Sequence, residues 1–149
     1  ADQSNGTIGQ DISTANAGAS FDFGVVKVMG EFARFQVDNV TGVSGVDLTT
    51  NIVTLGAIAP VGPGKVKLGV SRAERKTDGV VAKPETTKIA VGYDYSLSKR
   101  TSLFTTVAYV RNKEGSAVSA SQGGVAGFGS NAVANQRSVG YDIGLLHSF

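Results

Sequence analysis

The stretch Ser138–Phe149, S-V-G-Y-D-I-G-L-L-H-S-F, decides how this chain folds. Val139, Tyr141, Ile143 and Leu145 share one parity, which His147 and Phe149 continue. Ser138, Gly140, Asp142 and Gly144 share the other, followed by Leu146 and Ser148. A period of two means a β-strand with one apolar face and one small or polar face. At about 3.3 Å per residue the strand is about 35–40 Å long, well beyond the usual soluble strand. A long amphipathic strand with an aromatic at its last position reads as a closing strand.

The same Gly-centred pattern recurs upstream. Ala17-Gly18-Ala19-Ser20-Phe21, Leu55-Gly56-Ala57-Ile58 and Val91-Gly92-Tyr93-Asp94-Tyr95 precede Val139-Gly140-Tyr141-Asp142-Ile143. Gly18, Gly56, Gly92 and Gly140 are 38, 36 and 48 residues apart, a spacing that signals a repeated supersecondary unit. A second alternating run follows each of the first three copies, beginning near Val26, Val66 and Leu103. Within a unit the two runs are joined tightly: near Gly24, at Pro60-Val61-Gly62-Pro63-Gly64, and at Ser98-Lys99-Arg100. Gly and Pro supply the turn dihedrals there, and Pro60 and Pro63 are expected outside the ladder. Between units the connections are longer and polar, at about 38–49, 76–85 and 113–136, the last one rich in Gly, Ser and Asn. The expected fold is all-β: an antiparallel up-and-down meander of seven strands, with residues 1–14 as loop and 15–149 as three hairpins plus the closing strand.

Composition bounds the function. The 149 residues carry a net charge of +2, no Cys and one His, with 17% charged residues. No run approaches the roughly 18 apolar residues of a spanning helix, yet alternating strands can still cross a bilayer. Without Cys there is neither a disulfide framework nor a thiolate metal site. No dense basic run points to nucleic acid. His147 has only Ser148 beside it, on the opposite face of the strand, so a hydrogen-bonded catalytic pair is denied and no enzyme activity is expected. Gly62-Pro63-Gly64-Lys65 lacks phosphate-loop spacing and is a turn. Neither a cofactor site nor a metal site is expected.

Alternation alone leaves open whether the apolar parity is a core or a lipid-facing surface. Strands close to 9–11 residues, connections alternating between short and long, and aromatics on the apolar parity favour a transmembrane barrel. The competing fold is a soluble or small outer-membrane β-barrel that binds ligands through its long loops.

Three stretches carry a family resemblance. Val91–Thr101, V-G-Y-D-Y-S-L-S-K-R-T, and Phe21–Val28, F-D-F-G-V-V-K-V, resemble hairpins of the proteobacterial general porins, and Gly144–Phe149, G-L-L-H-S-F, is similar to that family's ending. Leu146 and Ser148 depart from it, since basic residues are common there. The resemblance implies a trimeric, Gram-negative outer-membrane channel for passive diffusion of small hydrophilic solutes and ions, built as a sixteen-stranded barrel. Seven strands are then the C-terminal portion of one. A complete eight-stranded barrel, with a strand inside residues 1–14, is the alternative.

Parity and resemblance together assign candidate residues. Asp22, Lys27, Glu31, Lys67, Arg75, Lys88, Asp94 and Asp142 fall on the expected pore-lining parity. Arg34, Arg72 and Arg111 extend the apolar parity one step past Phe32, Val70 and Tyr109, and are expected at one height to contact lipopolysaccharide phosphates. A bulge that reverses parity, as Phe35 and Val37 hint, would instead turn these arginines inward. Tyr93, Tyr95, Tyr109, Tyr141 and Phe149 are expected at the membrane interface. The resemblance further implies that Tyr141 and Phe149 form a signal read by the outer-membrane barrel assembly machinery.

Overall fold

In the computed structural model, residues 11–38, 46–120 and 133–148 are described. They form seven strands: β1 (Asp11–Asp22), β2 (Lys27–Asp38), β3 (Leu48–Val61), β4 (Gly64–Thr77), β5 (Glu85–Ser96), β6 (Thr101–Lys113) and β7 (Arg137–His147). All belong to one sheet whose spatial order is the sequence order, each strand antiparallel to the next. The expected seven-stranded meander is what forms. One boundary differs: β1 begins at Asp11, so residues 11–14 are strand rather than loop. Their own alternation is weak, but β2 runs to Asp38 and offers Ile12 and Thr14 a ladder opposite Val37 and Phe35.

The short turns behave as their sequences dictate. Gly24 N donates to Asp22 Oδ1 at 2.8 Å and Phe23 N to Val26 O at 2.9 Å. Leu97 N and Ser98 N both donate to Thr101 O, at 2.9 and 3.0 Å. Val61 and Gly64 close a two-residue hairpin over Gly62-Pro63. Pro60, expected outside the ladder, lies inside β3 opposite Lys65. It is tolerated because a residue next to the closing pair turns its N–H away from the hairpin partner. On the other side the β2–β3 ladder has already ended at Lys27 and Ile58.

Pairing runs unbroken through all six ladders, so each residue's face follows by counting twos. No bulge interrupts β2, and Phe35 and Val37 therefore share the face of Lys27 and Glu31, opposite Arg34.

No second layer packs on the sheet among the described residues. Among the described residues the buried apolar side chains are Ala33 and Ala108, each 8% exposed, and Val110 at 0%. One face instead displays Ile143 at 71%, Leu55 at 59%, Val107 at 53% and Phe32 at 45%. A soluble protein of this length hides such side chains, whereas a lipid-facing sheet displays them.

Candidate functional site

Counting twos across the ladders sorts the candidates without exception among the described residues. Asp22, Lys27, Lys67 and Asp142 fall on one rung of the polar face, running Asp22–Lys27–Ile58–Lys67–Gly92–Thr106–Asp142. Glu31 and Lys88 share a second rung, Gly18–Glu31–Thr54–Ser71–Lys88–Val110–Ser138. Asp94 lies one step toward the short turns, opposite Lys65, and Arg75 lies near the long connections opposite Thr50. All eight share that face. Between the two charged rungs runs a belt of small side chains, Ser20, Gly56, Gly69, Ala90, Ala108 and Gly140, interrupted by Met29.

Lys67 Nζ is ion-paired with Asp94 Oδ2, diagonally across β4 and β5. Lys65 belongs to the same face and flanks Asp94. Its parity with Lys67 is visible in the sequence, but it directly follows the Gly62-Pro63-Gly64 turn, where alternation only begins. It tips this face from balance to five cations against four carboxylates.

The start of the β6–β7 connection folds back over the polar face. Buried Asn112 holds it from both ends of its amide: Nδ2 donates to Val118 O at 2.9 Å, and Oδ1 accepts from Val118 N at 3.2 Å. Thr86 Oγ1 also donates to Asn112 Oδ1, at 3.1 Å, and contacts Ser116 Oγ. Further along, Ala120 N donates to the buried Ser138 Oγ at 3.0 Å. Gly140 leaves room for this segment, since a Cβ there would sit 3.1 Å from the Ala120 Cβ. The base of the connection is closed by Gly115 N donating to Asn135 Oδ1 at 2.7 Å and Asn135 N to Ser116 O at 3.0 Å. Lys83 N donates to Glu114 Oε2 at 3.0 Å and ties in the β4–β5 connection. Sequence reading found a long Gly-rich loop here but not Asn112, whose role depends on where the chain returns.

The other face is uncharged over its middle. From Val53 to Val61 on β3 it carries Val53, Leu55, Ala57, Ala59 and Val61, about 26 Å along the strand. Tyr93, Tyr95, Tyr109 and Tyr141 share this face with Val66, Val91, Val107 and Val139. Tyr93 lies over Gly64 and donates its hydroxyl to Val61 O at 3.1 Å. Phe149 lies outside the described residues.

Arg34, Arg72 and Arg111 do extend this apolar face toward the long connections. They are not at one rung. Arg72 and Arg111 both stand opposite Thr87, whereas Arg34 stands opposite Asn51, two residues further along. The rung continues to Arg137, directly opposite Arg111. Arg137 was hidden at the edge of the long connection, although it is on the parity of Val139. Arg72 Nη2 is paired with Glu85 Oε2 at 2.6 Å, and Lys76 Nζ with Glu74 Oε1 at 3.4 Å.

Comparison with known proteins agrees with this two-faced sheet. The profile of the family described as Gram-negative porin matches residues 1–115. Outer membrane porin protein 32 of Delftia acidovorans is 33% identical over 147 residues, an alignment covering 97% of this chain and 39% of that protein. The solved anion-selective porin from Comamonas acidovorans superposes with a TM-score of 0.76 at 30% identity, covering 94% of this chain and 40% of that one. The chain thus spans about two fifths of the length of these relatives.

Proposed function

Because this chain belongs to the Gram-negative porin family, we propose that it supplies seven strands of an outer-membrane channel through which small hydrophilic solutes and ions diffuse passively. The observation that carries this reading is the pairing of faces: exposed, uncharged and apolar over the middle of one side, charged on the other, with no layer over the apolar side among the described residues. Lipid is the environment that such an apolar face suits, and a wet lumen suits the charged one. The polar face then lines the pore, and the segment held by Asn112 narrows its long-loop mouth. No bond is made or broken; selectivity comes from bore and field. The remaining strands lie in the other three fifths of a protein the length of the relatives, and the whole barrel is a sixteen-stranded homotrimer subunit. The arginines at the border of the apolar face meet outer-leaflet lipopolysaccharide. Tyr141 and Phe149 serve as the signal for the barrel assembly machinery. A soluble binding barrel is disfavoured by both the family and the exposed face.

Planar-bilayer recording of the whole protein tests the channel. Stepwise conductance is expected, and Asp94→Asn, which frees Lys67 from its carboxylate, shifts the reversal potential toward higher anion permeability. Absence of steps in the native protein defeats the proposal.

A further inference from the structure

The arginines on the apolar face are not equivalent. Arg72 spends its charge on Glu85, and Arg34 has Ala15 and Asn51 as its cross-strand neighbours. Arg111 and Arg137 face each other across β6 and β7 and form no ion pair or hydrogen bond among the described residues. Their spacing is the closest that a ladder offers. Asn112 N donates to Gln136 O at 3.1 Å, so residues 112 and 136 are a hydrogen-bonded pair. The next pair in, Arg111 with Arg137, is then of the non-hydrogen-bonded kind, with Cα atoms about 4.5 Å apart and side chains nearest one another. Like charges placed directly opposite repel and destabilise a sheet. Two arginines paired at that Cα spacing, neither with a partner among the described residues, form a site suited to an anion.

Geometry names the anion's chemistry. Two planar forks side by side match the oxygens of a phosphate, each able to give a bidentate pair of hydrogen bonds. Thr87 stands on the other side of Arg111, adding a hydroxyl to the same rung. Directly below, toward the middle of the face, come Tyr109 and Val139, then Val107 and Tyr141. A phosphate bound here has its attached apolar group laid along that exposed surface. A membrane lipid has that structure.

The pair is also held in place from behind. Asn112 and Ser138, the neighbours of Arg111 and Arg137 on the polar face, are both buried and hydrogen-bonded to the folded-back segment at Val118 and Ala120. The strand ends that present the arginines are thereby pinned, which lowers the ordering cost of binding.

We infer that Arg111 and Arg137 form a specific site for the phosphate of an outer-leaflet glycolipid, with Thr87 beside it. This deepens the lipid contact of the channel reading and rests on the apolar face being the lipid-facing one. The test uses the whole porin in detergent, with micelles doped with lipid A bisphosphate as probe and single-channel conductance as a separate measure of fold. Arg111→Gln with Arg137→Gln is expected to weaken binding roughly tenfold or more, the scale of lost charge-assisted hydrogen bonds. Arg72→Gln costs less, and Lys99→Gln, the same charge loss at the far end, costs nothing. If the double Gln variant fails to insert, Arg111→Lys with Arg137→Lys keeps the charge and loses the fork, and binding still weakens. Wild-type affinity in that variant, or in the Gln pair, overturns the proposal. So does equal binding of lipid A stripped of its phosphates. Displacement by millimolar inorganic phosphate at equal occupancy makes this a free-anion site and overturns the lipid assignment. A native protein without conductance steps defeats the channel reading while leaving the lipid measurement intact.

Discussion

Gly64 shows how much a single missing side chain can decide. A Cβ at that position would overlap the carbonyl oxygen of Asp94 and lie 2.7 Å from the Tyr93 ring. The backbone of β5 has nowhere to go, because it is held in the ladder on both sides. Gly64→Ala is therefore expected to cost about 2 kcal/mol or more, the range of overpacked sites. Gly69→Ala serves as its control, since nothing lies within 4 Å of a Cβ there. Urea titration of the whole porin in micelles reads the difference; equal midpoints for the two variants would show that Tyr93 and β5 yield. Gly144 is the counterpart on the polar face, where the Phe104 ring fills the place of a side chain. The residue-level sorting of Asp22, Lys27 and Lys67 from Arg72 and Arg111 was legible in the sequence, because parity survives as long as no strand bulges. Arg137 and Lys65 were missed for a shared reason: both sit within two residues of a strand end, where alternation has too few members to count.

Among the elements, the β6–β7 connection departs most from what its sequence suggests. Gly-rich and polar, it reads as loose loop, yet its first residues are fixed by Asn112, Thr86 and Ser138. These three polar side chains lie on three different strands, and no local pattern links them. That is why the anchor was illegible while the seven strands, each carrying its own period of two, were not. Asn112→Leu removes both amide contacts to the partly buried Val118 N and Val118 O, a loss of about 0.5–1.5 kcal/mol for each bond. Faster hydrogen exchange at the Val118 and Ala120 amides is expected, together with a larger or noisier single-channel conductance. Unchanged exchange at both amides would mean that the segment is held by something other than Asn112.

Taken whole, the described sheet has two edges, β1 and β7, and one exposed apolar face. Each is a liability in water: the edges invite strand addition, and the face invites aggregation. The 149-residue chain, expressed alone in aqueous buffer, is expected to aggregate or stay unfolded and to order only in detergent or lipid. Analytical ultracentrifugation with denaturant titration checks this; a soluble monomer with a cooperative transition would refute it. The unbroken register has a further consequence, for how such a chain can change over generations. Adding one residue inside β4 ahead of Arg72, where no bulge absorbs it, would send every later side chain of that strand to the opposite face, carrying Arg72 to the polar face and Arg75 to the apolar one. A single insertion within a strand thus needs a bulge to absorb it, while a change in length between strands leaves the parity of each strand intact. Divergence among such chains should accumulate at one rim, leaving the wall as a fixed frame on which surface epitopes and tags can be exchanged.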